Sequence, residues 1–160
     1  METNNDIAVY ILARTDLPSL NAGKLAAQVH HAGVQMMAKL SKSSMVKNYI
    51  LSGVAEGADN FNTTIVLGAE LDDIIQCSRI AKFLGDSIVQ FDIVTDPSYP
   101  FFVENIEIAN LITQPSTKLI KTINDGRVLM VRKEITCAWF IGDRNNTDFK
   151  NLFSGLSLHP

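Results

Sequence analysis

The chain has 160 residues, 46% of them hydrophobic and 19% charged, with a formal net charge of −3 and a pI near 5.5. That length suits one domain able to bury about two-thirds of its unfolded surface without staples, and the charge weighs against a protein that coats nucleic acid non-specifically. No apolar run reaches the roughly 20 residues needed to cross a bilayer. Cys77, Cys137, His30, His31 and His159 show no zinc-ligand spacing, so no metal is expected.

Residues 1–6 are polar and partly acidic, lack the features of a secretion signal, and make the cytoplasm the default location. Ile7 to Ala13 reads as a buried first strand. Arg14 to Ala22 is a loop punctuated by Pro18, with Asn21 as the N-cap of the next element. Arg14 and Asp16 can pair within it to fix its shape. The helix that follows runs to about Leu40. Its Leu25, Val29, Ala32 and Met36 form one apolar stripe facing a core. Lys24, Gln28, His31 and Gln35 run beside that stripe at the same spacing, either as a solvated flank or as the wall of a site. Lys24 breaks a local rule, because a cation in the first helical turn is disfavoured by about 0.3–1 kcal/mol. Beside the unpaired N–H groups of a helix start, with Gly23 before it, it makes a receptor for a phosphate or a developing oxyanion.

Arg14-Thr15-Asp16-Leu17, a short loop, then Gly23-Lys24-Leu25-Ala26-Ala27-Gln28 and His31-Ala32 resembles the N-terminal signature of the type II peptidyl-tRNA hydrolases. The resemblance implies a single α/β domain over residues 1–160, with a mixed four-stranded sheet between helices. It implies hydrolysis of the ester joining a peptide to its tRNA, with no cofactor and the 3′ end of peptidyl-tRNA as partner. It also places Arg14 and Asp16 near the active cleft.

Beyond the first helix, Ser41 to Ser44 is a break and Met45 to Leu51 a short helix. Ser52 to Asn62 reads as a loop and Thr63 to Gly68 as a second strand. Leu71 to Leu84 is an amphipathic helix with Asp72 and Asp73 in its first turn and Gly85 at its end. Ser87 to Thr95 is the third strand, ending in Asp96-Pro97-Ser98-Tyr99-Pro100. A carboxylate at a strand end beside two prolines suits an acid or base fixed in a cleft, and equally suits an ordinary turn.

The family has an Asp-Ala-Gly-Arg-Thr segment at this position, of which only Asp96 matches; Ser98 or Tyr99 stands in for the missing hydroxyl. Phe101 to Ile123 has no counterpart in the family pattern and reads as an insertion, about 101–124, laid over the cleft as a lid or partner surface, with a short helix from Phe102 to Ile112 and a break at Gln114-Pro115-Ser116. As a partner surface it would serve a homodimer. Asn124-Asp125-Gly126 signals a hairpin between Lys118–Ile123 and Val128–Arg132. Asp125-Gly126-Arg127 is a rival for the family aspartate segment, but the turn alone explains Asp125 and Asp96 is preferred. Ile135 to Gly142 is the last strand and resembles the family's terminal run; Thr136 is either a plain β-former or, by that resemblance, a hydroxyl facing the cleft. Asp148 to Phe153 is a terminal helical turn.

An ester carbonyl needs a water aimed at it and a positive group where the oxyanion develops. The resemblance gives the oxyanion to Lys24 and the water to Asp96, with Gln28, Thr136 and His31 holding substrate or water. No Gly-x-Ser-x-Gly elbow is present, so no acyl-enzyme is expected. The competing expectation is a non-catalytic member of the same fold that binds a nucleotide, an RNA end or a protein. Its support is the acidic charge, the insertion and the eroded aspartate segment. Arg14, Lys24, Lys39, Lys42 and Lys47 supply a local basic region in the first third of the chain.

Overall fold

The computed structural model describes residues 6–18, 20–55, 62–112, 117–123 and 125–160. In chain order the elements are β1 (Ile7–Arg14), α1 (Ala22–Leu40), α2 (Ser44–Ala55), β2 (Thr64–Ala69), α3 (Leu71–Leu84), β3 (Val89–Val103), α4 (Ile106–Ile112), β4 (Thr117–Thr122), β5 (Val128–Asp143), α5 (Thr147–Asn151) and β6 (Ser157–Leu158). Most of the loop expected over 52–62, the break at 114–116, Asn124 of the hairpin turn and residues 1–5 lie outside the described residues.

The strands form one mixed sheet in the order β3-β5-β1-β2-β6, with β4 added beside β5. Among the described residues only β1 and β2 run parallel, and every other pairing is antiparallel. The expected four strands are thus corrected to six. β6 was unreadable because two residues carry no period, and β4 belongs to the segment taken for a lid.

β1 lies inside the sheet and is covered on both faces, which is why its sequence runs apolar instead of alternating. Ile7, Val9, Ile11 and Ala13 face α1 and α2, together with Cys137, Trp139 and Ile141 of β5. Leu12 faces the other way, onto α3 and the α5 segment, with Phe140, Ile74, Ala81 and Phe149. Gly142 permits that second layer to close, since a Cβ there would lie 2.6 Å from the Phe149 ring and 2.8 Å from the Ile88 carbonyl.

β3 does not stop at Asp96. It runs through both prolines to Val103, because register shifts between Val94 and Thr95 and between Asp96 and Tyr99 leave room for residues that do not pair. β3 is also an edge strand over this stretch, where a missing proline N–H is tolerated. β5 is likewise one 16-residue strand, joining what the sequence suggests are two. The helix expected from Phe102 begins at Ile106 instead.

Phe101 to Ile123 is therefore no lid. It continues β3, adds α4, and returns as β4 against β5, an extension with its own small core of Phe101, Ala109, Val128 and Met130. The Asp125-Gly126 turn closes the β4–β5 hairpin with Gly126 at φ 85, where a residue with a Cβ would be strained.

Candidate active site

α1 lies along β3 in the opposite direction, and four of its side chains reach that strand in order. Lys24 Nζ donates to the Pro100 carbonyl at 2.8 Å. One turn later, Gln28 Nε2 donates to Asp96 Oδ2 at 3.0 Å. Gln35 Nε2 donates to the Ile93 carbonyl at 3.5 Å, and Lys39 pairs with Asp92. Asn21 starts the helix as its N-cap, accepting from the Lys24 N–H at 3.0 Å. The polar margin of α1 is thus a seam against the sheet, with Lys24 and Gln28 at its N-terminal end.

Gln28 is 6% exposed and is used at both ends. Its Oε1 accepts from the Thr136 hydroxyl at 2.7 Å while Nε2 faces Asp96. The reverse amide orientation would set an oxygen against a carboxylate, so the Asp96 contact fixes which way Gln28 points. Thr136 is 1% exposed. Its hydroxyl is turned to Gln28 and, more distantly, to the Val94 carbonyl. The expected cleft-facing Thr136 is corrected: it stands behind Gln28, because the register shift at Val94/Thr95 turns it toward α1. Gln28 itself holds Asp96, and both of its polar ends are occupied.

Asp96 is fixed from a second side by the Ser98 N–H, which donates to Oδ1 at 2.8 Å. Each carboxylate oxygen accepts one protein hydrogen bond and keeps a lone pair for another donor. Lys24 likewise spends one of three ammonium protons on Pro100 and lies 5.1 Å from the centroid of the Tyr99 ring. Burial against these groups lowers its pKa from the ordinary lysine value. The Tyr99 phenol is pushed up, first by burial and then by Glu134 and Asp96. Protonated, it donates to the Pro18 carbonyl at 3.0 Å and ties β3 to the β1–α1 loop. Tyr99 therefore does not replace the missing threonine hydroxyl.

Arg14 and Asp16 form a second group alongside. Arg14 is 6% exposed; its Nε and Nη2 grip both Asp16 oxygens, and Nη1 donates to Glu134 at 3.1 Å and to the Ile135 carbonyl at 3.0 Å. Burial disfavours the Arg14 charge, but Asp16 and Glu134 outweigh it and raise its pKa. The hydrogen bond from Arg14 holds the Asp16 carboxyl below its usual range. Glu134 also accepts from Arg132 Nε at 2.6 Å and pairs along the sheet with Asp96.

Sequence reasoning missed Glu134 as a member of this site and named Tyr99 only as a stand-in hydroxyl, not as the ring beside Lys24. A lone Arg-Lys-Glu run between apolar strands was the available signal for the first, and a tyrosine between two prolines for the second. His31 is exposed, with the neighbouring His30 ring 6.3 Å away. The structure does not bring it into the Thr136–Gln28–Asp96 line.

Asp125 lies at the hairpin tip, bonded to the N–H and Nε of Arg127 at 3.1 and 2.7 Å. Both thiols are buried, with burial pushing Cys77 up to about 11 and Cys137 up to about 12, so neither is a nucleophile near neutral pH. No group of three or more His, Cys, Asp or Glu fit to hold a metal occurs among the described residues.

A cavity of about 310 Å³ flanks the start of α1, lined by Leu17, Leu20, Ala22 and Leu25 with Thr15, Asn21, His159 and Pro160. Its far wall is the β6 segment, whose His159 N–H donates to the Val66 carbonyl at 3.0 Å. A recess of about 280 Å³ at the other end of β1 has Asp143 as its one charged lining residue and lies away from Lys24 and Asp96.

No helix among the described residues is long and apolar enough to cross a membrane. No curated protein matches the chain. The family model described as Peptidyl-tRNA hydrolase PTH2 matches residues 7–96, over half of the chain. That span contains Arg14, Asp16, Lys24, Gln28, His31 and Asp96; Thr136 and the β3–β4–β5 extension lie outside it.

Proposed function

The chain belongs to the peptidyl-tRNA hydrolase PTH2 family, and on that premise we propose that it hydrolyses the ester linking a peptide to the terminal ribose of tRNA, through Lys24 and Asp96. The observation that carries this reading is a half-buried Lys24 bonded to the Pro100 carbonyl one helical turn before Gln28, which, backed by Thr136, holds the Asp96 carboxylate of the same strand. Asp96 aims a water at the ester carbon and takes its proton. As the C–O bond forms, the carbonyl oxygen gains negative charge and meets the half-buried Lys24 ammonium. The bond to the ribose oxygen then breaks, that oxygen takes up a proton, and free peptide and tRNA leave.

Thr136 and Gln28 act as positioning residues, since both are buried and bond to each other and to Asp96. Arg14 and Asp16 fix the loop that carries the helix start, and exposed His31 is left to contact substrate. The apolar cavity beside α1 gives room for the acyl portion. No cofactor takes part in these steps.

Turnover of an N-blocked aminoacyl-tRNA by wild type, Lys24→Ala, Asp96→Ala and Asp125→Ala tests this reading. Loss in the first two variants and retention in the third supports it. Equal turnover by all four proteins overturns the site. The competing reading is a non-catalytic RNA-end binder, favoured by Tyr99 spending its hydroxyl on Pro18 where the family segment has a threonine. Absence of turnover by wild type, with tRNA still bound, would select it.

A further inference from the structure

β4, the start of β5 and the end of β3 form a three-stranded ribbon whose two faces differ in character. Residues directly opposite on paired strands share a face, and residues two apart on one strand do as well. Met130 stands opposite both Phe101 and Leu119, and this face packs on α4. The other face is set by Val131 and Leu129. Lys118 stands opposite Val131, Lys121 opposite Leu129, and Phe102 opposite Leu129 from the other side. Lys133, two residues beyond Val131, falls on this face too. Arg127 joins it with its guanidinium 5.1 Å from the centroid of the Phe102 ring.

The four cations are exposed and Phe102 is 42% exposed. The side chains of Lys118, Lys121 and Lys133 have no ion-pair or hydrogen-bond partner among the described residues, and Asp125, paired with Arg127, is the one carboxylate within 117–133. Alternation thus collects positive charge on one uncovered face, in a chain whose net charge is −3. A face with unpaired lysines and an exposed ring matches a phosphate backbone with accessible bases. This face is the reverse of the one that runs from Met130 through Tyr99 to Lys24. It lies along the strands from the site, Phe102 being six residues, about 20 Å of strand, from Asp96, so an RNA that meets both passes around the free edge of β3.

We propose that the face bearing Lys118, Lys121, Lys133, Arg127 and Phe102 docks the sugar-phosphate backbone of the tRNA whose ester reaches Lys24 and Asp96. This rests on the hydrolase reading for the identity of the RNA, while the charged face stands on register and exposure alone. It also answers the objection raised by the acidic composition, because the cations that meet RNA are concentrated on an extension outside the matched family span.

The test uses the full chain and deacylated tRNA, read by fluorescence anisotropy across a salt series, so it requires no hydrolysis. K118A/K121A/K133A is expected to weaken binding at least tenfold and to flatten the salt dependence by about one unit of log–log slope per lysine. The corresponding triple lysine-to-arginine variant is expected to restore both, and each single alanine variant to give about a third of the slope change. Wild-type affinity and slope in the triple alanine variant would overturn the proposal. So would loss of binding to phosphatidylserine vesicles with tRNA binding intact, which would make the face a membrane contact. Lysine-dependent tRNA binding without ester turnover upholds the docking face and overturns the hydrolase reading. Turnover with lysine-independent binding does the reverse.

Discussion

Gln28 and Asp96 meet at 3.0 Å across the interface between α1 and β3, and Gln28 is itself held from behind by Thr136 at 2.7 Å. The carboxylate is therefore aimed by a helix and two strands. Replacing Gln28 with Met keeps the volume but strands the Thr136 hydroxyl and one Asp96 oxygen. The expected outcome is a loss of about 1–3 kcal/mol in stability and a fall in kcat larger than any change in KM. Urea unfolding with steady-state kinetics checks it; unchanged kcat would leave Gln28 a purely structural bridge.

Lys24→Ala is expected to lower kcat by about 10²–10³-fold, the usual cost of removing one oxyanion donor, with little change in Tm because Lys24 fills no core space. In the proposed mechanism the ammonium form acts, so activity is expected below its pKa and is expected to be lost as pH rises through it. Burial pulls that pKa below 10.5, so the alkaline limb of kcat should fall earlier than an ordinary lysine would allow. In Lys24→Arg any activity that survives should lack this limb. A pH–rate profile with the limb unmoved in the arginine variant would assign it elsewhere.

Asp16 is gripped by Arg14, which lowers its carboxyl pKa in the folded state. A depressed folded pKa stabilises the fold above the unfolded carboxyl pKa, and this contribution is lost as pH falls through the folded value. Asp16→Asn should therefore melt below wild type near neutral pH and converge on it in acid. Solvent screening on the exposed Asp16 side keeps the difference small. Parallel Tm curves across that range would show that the pair contributes nothing.

Met130 is fully buried in the small core beneath α4. Met130→Ala should cost about 2–5 kcal/mol where that core unfolds with the rest, and less where it opens locally. Hydrogen exchange separates the cases: early exchange confined to β4 and α4 marks a separate unit. A Gly-Ser linker in place of 101–123 would remove β4 and the Phe101–Val103 end of β3 from either side of β5, so it is expected to lower Tm, unlike the removal of a lid.

The N-terminal half was legible because its signals are local. Asn21, the apolar stripe of α1 and Gly85 each act within a few residues, and α1 and α3 end within one or two residues of where their patterns do. Lys24, Gln28 and Asp96, which the structure sets along one seam, were singled out from a rule broken at a helix start and a carboxylate beside prolines. What stayed hidden depends on pairing. Thr136 turns inward because of a register shift that no period announces, Glu134 matters because Arg14 reaches it across the sheet, and the lysines of β4 and β5 share a face only once Lys118 is seen opposite Val131. The expectation of a basic region in the first third overlooked this concentration, because charge was counted along the chain and not across strands.

β5 lies between β1 and β3, yet it is made after both. While the chain leaves the ribosome, β1 and β3 wait as open edges, with no common partner until residues 128–143 have emerged. Long-range pairing of this kind makes closure slow and leaves the waiting edges exposed to other chains. The line from Thr136 to Asp96 is incomplete for the same interval. The candidate site exists only once residues 128–143 have joined, when one late strand completes the sheet and the site together.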